Sequence, residues 1–292
     1  MSERLIALPS HEVRCVAPRD LHRSRHREIA MPPGFIADEA PRPYDETFYR
    51  YQREGSVRSA RGVLPGVNAV LRPASILDVG CGAGAWLSVH REFGVQDFTG
   101  IDGDYVDRSV LMFDPARFVP ADISKRFDLG RAFDLVQCLE VGEHVPKASS
   151  EVLVDNLVRH GKHVLFSAAV PGQGGENHIN EQRYEFWRDL FARHGYQLFD
   201  FVRPLIAADT RIEPWYRYNL LFFVAADEVE RLPDAIKQHR IDRRSSVPDV
   251  SPPGYKARKF VLRWLPVRAK TGIAILKSRM VTNRLKRNEG DR

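Results

Sequence analysis

The amino-acid sequence predicts an α/β protein in which helices cover both faces of a mostly parallel β-sheet. Seven apolar runs typical of buried strands occur between residues 76 and 225. Amphipathic segments typical of helices lie between several of these runs, and this alternation is the pattern of a parallel sheet covered on both faces. Acidic or glycine-rich segments follow several of the runs, which indicates that ligands bind at the carboxyl ends of the strands.

The chain divides into three parts by composition. Residues 1–43 are rich in Arg, His and Pro and are predicted to form an N-terminal arm. Residues 44–235 contain the alternating pattern and are predicted to fold as one domain. Residues 236–292 contain 16 Lys and Arg against 4 Asp and Glu, and this basic tail is predicted to be partly helical.

The net charge of +6 hides an uneven distribution. Residues 45–235 contain 21 Lys and Arg against 28 Asp and Glu, so the predicted domain is acidic although the whole chain is basic. An acidic surface repels phosphates, and a nucleic acid is therefore not an expected partner. Three widely spaced cysteines predict neither a disulfide framework nor a zinc cluster, and no apolar run is long enough to span a bilayer. We expect a cytoplasmic protein.

The first predicted elements are one or two helices within residues 44–71, broken between Gly62 and Pro65. The strands are predicted at residues 76–79, 98–101, 117–119, 133–139, 163–168, 197–202 and 220–225. The clearest helices between them are predicted at residues 85–93, 149–159 and 181–194.

The first strand leads into a loop with the pattern Asp78-x-Gly80-x-Gly82-x-Gly84. Glycines lack the Cβ atoms that would keep a ligand away from the backbone, and a helix follows them, so the loop is predicted to bind a polar ligand. The preceding acid disfavours a phosphate and favours a ligand with a cationic amino group. The alternative is an ordinary strand-to-helix turn, in which the glycines and the acid coincide by chance.

This pattern resembles motif I of the class I S-adenosylmethionine-dependent methyltransferases. The resemblance covers about residues 70–226. It implies a Rossmann-like sheet of seven strands, mostly parallel with the last strand antiparallel, and it makes residues 44–235 the catalytic domain.

The same resemblance implies S-adenosyl-L-methionine as the cofactor. Asp78 and the glycine backbone would contact its methionine part. Asp102 ends the second strand, where a carboxylate can accept hydrogen bonds from both ribose hydroxyls. Asp122 follows the third strand and would bind the adenine amino group, with Ile123 packing on the ring.

The segment after the fourth strand has the pattern Glu140-x-x-Glu143-His144. If a helical turn begins there, these side chains share one face. A glycine-rich loop after the fifth strand brings His178 to the same edge of the sheet. All four residues are predicted to ligate a divalent cation, although this donor set does not distinguish Mg²⁺ from Mn²⁺ or Zn²⁺. The alternative is a helix cap whose side chains hydrogen-bond the acceptor without a metal.

These residues resemble the metal-dependent branch of the family, which includes small-RNA 2′-O-methyltransferases and ubiquinone-pathway O-methyltransferases. Residues 167–182 and 215–220 are similar to those of bacterial enzymes of polysaccharide and glycoside methylation. These sugar-modifying relatives imply Mg²⁺ as the ion. Glu143 and His144 would be the catalytic residues, with His144 as the general base if it does not coordinate the ion.

Two further features concern partners. Trp215 and Tyr216 are candidates for stacking on a sugar acceptor, and the alternative is packing in the core.

The basic tail alternates cations with large apolar residues. It is expected to contact an anionic surface, which would place the protein at the periphery of the inner membrane, or to self-associate in a homodimer. Packing on its own domain is the remaining alternative.

The sequence thus predicts an S-adenosylmethionine-dependent O-methyltransferase that uses a divalent cation to activate a sugar hydroxyl. The acceptor would be a glycoside, an oligosaccharide or a polysaccharide precursor, for example of a methylated mannose or glucose polysaccharide. Methylation of an RNA ribose or a small phenol is the enzymatic alternative. The alternative of another class is a cofactor-binding interaction protein that has lost transfer activity.

Overall fold

The computed structural model describes residues 46–276 and residue 280, and it describes side chains from residue 53 onward. The predicted N-terminal arm and the end of the basic tail lie outside the described residues. In the part of the chain that the structure describes, no helix is long and apolar enough to cross a membrane.

Eight strands form one mixed sheet. The strands are β1 (Ser75–Val79), β2 (Asp97–Asp102), β3 (Phe118–Pro120), β4 (Leu135–Leu139), β5 (His163–Ser167), β6 (Tyr196–Phe199), β7 (Leu221–Ala225) and β8 (Arg240–Ile241). Their order in the sheet is β3-β2-β1-β4-β5-β7-β6-β8.

The pairing of these strands confirms the predicted sheet. The first five strands are parallel to one another, and β7 lies antiparallel between β5 and β6. The structure adds β8, which pairs antiparallel with β6 through Leu198 and Ile241 and through Phe199 and Arg240. A strand of two residues is too short to show an alternating pattern, and for this reason the sequence did not predict it.

Helices cover both faces of the sheet. They are α1 (Glu46–Leu71), α2 (Ala85–Glu92), α3 (Ser150–His160), α4 (Tyr184–Arg193), α5 (Val202–Ile206), α6 (Pro214–Asn219), α7 (Asp234–Lys237) and α8 (Pro253–Leu262). Residues 267–276 are also helical.

Neighbouring residues of a strand point to opposite faces, and this divides the apolar side chains between two cores. Ile76 and Phe222 belong to the core beneath α1 and α2, whereas Leu77 and Phe223 belong to the core beneath α3 and α4. Both faces of β1 and β7 are therefore buried, as in a doubly covered sheet.

The predicted break between Gly62 and Pro65 is wrong, because α1 continues through Pro65. A proline inside a helix costs about 3 kcal/mol, since it removes one hydrogen bond and crowds the preceding turn. Leu64 and Val67 lie on either side of Pro65 and are fully buried in the core. Burial of two such side chains contributes roughly 3 to 6 kcal/mol, which offsets the cost of the proline.

Candidate functional site

The glycine loop connects β1 to α2 with three left-handed residues. Gly80, Gly82 and Gly84 have φ angles of 81°, 52° and 80°. A Cβ atom on Gly80 would lie 2.3 Å from Val141, and one on Gly84 would lie 2.2 Å from Phe113. Around Gly82 no atom of the described residues lies within 4 Å of a Cβ position. Packing therefore requires the outer two glycines, while Gly82 leaves bare backbone on an open side.

Asp102 fastens this loop to the end of β2. Its Oδ2 accepts the Gly82 N–H at 2.7 Å, and its Oδ1 accepts the Gly103 N–H at 2.7 Å. The Tyr105 hydroxyl also donates to Oδ1, at 2.6 Å. A buried carboxylate at this edge is thus fixed by backbone donors and remains beside the open backbone of Gly82.

The Asp78 carboxyl, at the start of the glycine loop, has a strongly raised pKa. Its side chain lies within β1 and is buried, and burial raises the pKa of this carboxyl to about 7. The nearby side chain of Gln137 lowers the pKa, and the neighbouring Asp102 raises it further. The carboxyl is therefore poised between its neutral and charged forms, and a cation bound beside it would favour the charged form.

Asp122 lies in the turn after β3 and is half-exposed. It accepts the Ser124 hydroxyl at 2.5 Å and pairs with Lys125 at 3.0 Å, and both contacts hold its pKa below the ordinary value. Ile123 is half-buried beside it. Both residues remain at the rim, where a planar ligand can reach them.

A cleft of about 320 Å³ joins these strand ends. Its walls include Gly80, Asp102, Asp122, Glu140 and His144. A second cavity of about 580 Å³ adjoins it and shares Asp122 with the first. The carboxyl ends of β1 to β4 thus meet at one opening, as expected for parallel strands.

Three of the four predicted metal ligands come together beside this opening, which one of them, His144, lines. Glu143, His144 and His178 each offer a ligand atom, and these atoms lie within 4.8 Å of one another. Glu143 is fully buried, and neither of its carboxylate oxygens has a hydrogen-bond partner among the described residues. Burial, together with the neighbouring Glu140, raises the pKa of Glu143 well above its ordinary value. A buried unpartnered carboxylate beside two imidazoles is a donor set that fits a divalent cation.

The two histidines are held by their surroundings. His144 Nδ1 lies 3.3 Å from the backbone oxygen of Asn177, and this contact favours the tautomer with hydrogen on Nδ1. His144 is solvent-exposed at the cleft, but the protein atoms packed around its ring and the nearby His178 lower its pKa to about 4, so the ring is neutral at pH 7 and its Nε2 can donate a lone pair to a cation. His178 lies edge-on to His144, with ring centres 5.0 Å apart.

Glu140 is placed differently from the other three. Its backbone has a φ of 56°, which is uncommon outside glycine. Its carboxylate accepts from the side-chain amides of Gln173 at 2.9 Å and Asn219 at 3.3 Å. Burial raises its pKa. In the structure this carboxylate is therefore held by amides at the edge of the cluster, and its role as a fourth ligand stays a prediction.

The two aromatic acceptor candidates lie in α6. Tyr216 is buried in the core and packs edge-on against Trp86, with ring centres 5.0 Å apart. Trp215 is half-buried against the same core cluster. Their contact with an acceptor also stays a prediction.

Sequence reasoning missed three residues of the site. Tyr105 donates to Asp102, and Gln173 and Asn219 hold Glu140. Gln173 could have been noticed because it interrupts the glycine-rich loop. Tyr105 and Asn219 belong to no chemical pattern in the sequence, and only the fold brings them to the site.

Comparison with known proteins identifies the family. A family model described as a methyltransferase domain matches residues 49–204, which is more than half of the chain. The chain belongs to this methyltransferase family. It contains a class I S-adenosylmethionine-dependent methyltransferase domain, which confirms the predicted cofactor.

Several solved methyltransferase structures are similar to this chain at low sequence identity. A sugar N-methyltransferase from a Streptoalloteichus species is 19% identical, with 61% of this chain and 91% of that chain covered and a TM-score of 0.48. DesVI from Streptomyces venezuelae is 16% identical, with 61% and 95% covered and a TM-score of 0.45. The magnesium protoporphyrin IX methyltransferase from Synechocystis is 18% identical, with 62% and 85% covered and a TM-score of 0.43. A comparison with curated protein sequences gives no significant match.

The cleft of this methyltransferase fits its cofactor. The bare backbone at Gly82 leaves room that a side chain would fill, and Asp102 accepts its N–H group. Asp122 and Ile123 stand at the far side of the same cleft. Two carboxylates, those of Asp102 and Asp122, therefore line the same cleft.

Proposed function

We propose that this methyltransferase is an O-methyltransferase that uses a divalent cation, Mg²⁺ being the expected ion, to activate a sugar hydroxyl. The acceptor is a glycoside, an oligosaccharide or a polysaccharide precursor, for example of a methylated mannose or glucose polysaccharide. The observation on which the proposal depends is the buried Glu143 carboxylate, which has no hydrogen-bond partner among the described residues and faces two imidazoles beside the cofactor cleft.

On the cofactor side, each residue has one role. Asp78 binds the amino group of the methionine part, and the backbone of Gly82 lies against it. Asp102 accepts the ribose hydroxyls, and Asp122 accepts the adenine amino group while Ile123 packs on the ring. The bound cofactor supplies a methyl group on a positively charged sulfur, which needs in-line positioning more than general catalysis.

On the acceptor side, Glu143, His144 and His178 hold the cation. Glu140 stands beside them as a fourth ligand or as a hydrogen-bond acceptor for the sugar. A bound cation lowers the pKa of a hydroxyl and orients it. His144 takes the proton if it is free of the cation, although its lowered pKa makes it a weak base and favours the ligand role.

A sugar acceptor explains the need for a cation better than the enzymatic alternatives. A phenol ionises near pH 10, so it requires less activation than an aliphatic hydroxyl. An RNA ribose has the same chemistry as a sugar, but its phosphates would meet an acidic domain with 28 Asp and Glu against 21 Lys and Arg in residues 45–235.

Activity assays with metal removal test the proposal. Purified protein is incubated with labelled S-adenosylmethionine and a panel of sugars, ribonucleosides and phenols, with Mg²⁺ or with EDTA. We expect a methylated sugar oxygen only in the presence of the cation, and about 100-fold less product from His178→Ala. The exposed His194→Ala is the matched control. Product formation unchanged by EDTA and by His178→Ala contradicts the cation role, and methyl transfer to nitrogen contradicts the O-methyltransferase assignment.

The same assay separates the enzyme from the inactive alternative. A cofactor-binding interaction protein would bind S-adenosylhomocysteine in calorimetry but would transfer no methyl group to any acceptor. The Glu143 cluster argues for an enzyme, because a buried unpartnered carboxylate is costly and a binding protein would have no use for it.

The basic tail supports an anionic lipid surface as a second partner. Phe260 and Trp264 are exposed by 58% and 74%, and the Arg263 guanidinium stacks on both rings. Exposed aromatic residues interleaved with cations are typical of helices that lie at a membrane surface. We expect cosedimentation with phosphatidylglycerol vesicles, lost in Trp264→Ser and absent with phosphatidylcholine. A stable dimer in solution that Trp264→Ser dissociates would instead assign this face to a second copy of the chain.

A further inference from the structure

The basic tail packs on the glycine-rich loop that contains His178, and it does so at two points. Arg258 in α8 donates from Nη1 to the backbone oxygen of Gln173 at 2.9 Å. Lys270 donates from Nζ to Oε2 of Glu181 at 2.6 Å. The two partners lie on either side of His178 in the sequence, so the tail contacts the loop before and after this histidine.

The approach of α8 to the loop depends on Gly172. A Cβ atom on Gly172 would lie 2.0 Å from the backbone oxygen of Lys259, which cannot move aside as a side chain could. Lys259 itself is buried and pairs with Asp249 at 2.7 Å. Backbone contact and the Lys259–Asp249 ion pair, in which Asp249 is partly exposed, therefore both fix the position of α8.

Lys270 and Glu181 form a buried ion pair. Their side chains are exposed by only 9% and 5%. The Glu181 carboxylate also accepts the backbone N–H groups of Gly172 at 3.0 Å and Gly174 at 2.8 Å. This one carboxylate thus ties the tail to the turn of the loop.

The same carboxylate reaches His178. Glu181 Oε1 lies 3.4 Å from Nδ1 of His178, and Nε2 of the same ring lies 4.0 Å from Glu143 Oε1. At this distance the Glu181 carboxylate attracts the ring electrostatically, while Nδ1 makes no hydrogen bond among the described residues. A carboxylate beside the ring nitrogen that does not face the ion is the arrangement found around metal-ligating histidines. Glu181 is therefore placed to aim His178 Nε2 at the Glu143 cluster.

We infer that Lys270 is a positioning residue that holds Glu181, and through it His178, in the orientation that the candidate cation site requires. The inference rests on the cation site of the proposed function. If the Lys270 ammonium group is removed, the negative charge of Glu181 is left buried without a positively charged partner. The loop must then move so that water can reach the carboxylate. The basic tail, which lies outside the family match at residues 49–204, then belongs to the catalytic site.

Hydrogen exchange tests the positioning without any metal. We expect the amides of Gly172 and Gly174 to exchange at least tenfold faster in Lys270→Met than in the wild-type protein, while the amides of β4 are unchanged. Lys270→Arg should restore slow exchange because it keeps the positive charge. The exposed Lys256→Met, in the same tail, should exchange like the wild type.

Mn²⁺ affinity shows whether the loss of Lys270 weakens the candidate cation site. It is measured from the spin-resonance signal of the free ion. Outer-shell substitutions of this kind typically weaken metal binding by about 10- to 100-fold, and we expect this loss in Lys270→Met but not in Lys256→Met. The affinity for S-adenosylhomocysteine should stay within about twofold of the wild-type value, since the cofactor acids are on other strands. Glu181→Gln is a second variant that removes the same charge pair and should show both effects.

The outcomes of the two measurements distinguish a wrong cation site from a wrong role for Lys270. If the wild-type protein binds no Mn²⁺, the cation site of the proposed function is wrong, and the inferred role of Lys270 in that site fails with it. If Mn²⁺ binds the wild type but loop exchange and Mn²⁺ affinity are unchanged in both Lys270→Met and Glu181→Gln, the positioning role is overturned while the proposed function stands.

Discussion

The substitution Asp78→Asn should make the methyltransferase more stable and at the same time weaken its hold on the cofactor. Asp78 is buried in β1, and its pKa is raised from 3.8 to about 7. In the unfolded chain the carboxyl ionises near pH 4, whereas in the folded protein it stays protonated up to about pH 7. Stability is therefore lost as the pH rises through this window, because the folded state binds the extra proton.

The size of the effect follows from the two pKa values. At about 1.4 kcal/mol for each pKa unit, the ionised carboxylate destabilises the folded state by about 4 kcal/mol at pH 8 and by less than about 2 kcal/mol at pH 5. Asparagine does not titrate, so Asp78→Asn should raise the free energy of unfolding by up to these amounts. Urea denaturation at the two pH values measures the difference directly.

The ionised Asp78 carboxylate destabilises the fold but should strengthen the binding of the cofactor. Removing a charged partner costs about 1.5 to 3 kcal/mol, so S-adenosylhomocysteine should bind roughly 10- to 150-fold more weakly to the variant in calorimetry. Wild-type affinity should increase from pH 6 to pH 8, since binding a cationic amino group requires the ionised form, and the affinity of the variant should not change in this way.

The matched control is Asp122→Asn, because Asp122 is half-exposed and its pKa is lowered instead of raised. This control should show no stabilisation at pH 8. A stability gain of Asp78→Asn that is equal at pH 5 and pH 8 would refute the reasoning, because it could not arise from ionisation of the carboxyl. Unchanged cofactor affinity would refute the assignment of Asp78 to the amino group.

Other substitutions test the remaining parts of the site. Gly82→Ala places a side chain at a φ of 52° and should cost about 1 to 2 kcal/mol of stability in urea denaturation, while it abolishes cofactor binding in calorimetry. Gly84→Ala should cost more stability, because its Cβ would also lie 2.2 Å from an aromatic ring; equal losses would contradict the packing difference. Tyr105→Phe should tighten S-adenosylhomocysteine binding by roughly 2- to 10-fold, since its hydroxyl occupies Asp102 at 2.6 Å and competes with the ribose, and weaker binding would mean that this hydroxyl contacts the cofactor instead. Mg²⁺ should raise the melting temperature of the wild-type protein but not of Glu143→Gln, in which the buried carboxylate is replaced by a neutral amide; an equal rise in both proteins would place the ion elsewhere.

The cofactor side of the site could be predicted from the sequence because its residues follow consecutive strands. Asp78, Asp102 and Asp122 stand at or after the ends of β1, β2 and β3, and parallel strands end at the same edge of the sheet. Position in the chain therefore translates directly into position in space. The same rule brought Glu143 and His178 together, although they are on segments after different strands.

The rest could not be predicted because it depends on contacts between distant residues. The sequence gives no sign that Glu140 would be held by Asn219, which is 79 residues away. Lys270 is 89 residues from Glu181, and nothing in an amphipathic basic tail distinguishes a buried cation from a solvated one. The break in α1 was expected because the local effect of Pro65 is visible in the sequence, whereas the burial of the side chains around it is not.

Residues at consecutive strand ends form the cofactor side of the site, whereas contacts between distant residues hold the acceptor side. All of the proposed cofactor-binding residues lie between positions 78 and 123, inside the family match at residues 49–204. The proposed metal ligands on the acceptor side also lie inside that match. The residues that hold Glu140 or the loop containing His178 lie beyond it, and these are Asn219, Arg258 and Lys270. A shared cofactor needs the same cleft in every member of the family, whereas each acceptor needs its own. The C-terminal third of the chain is therefore where acceptor specificity is expected to be built, through Asn219 at Glu140 and through Arg258 and Lys270 at the loop that contains His178.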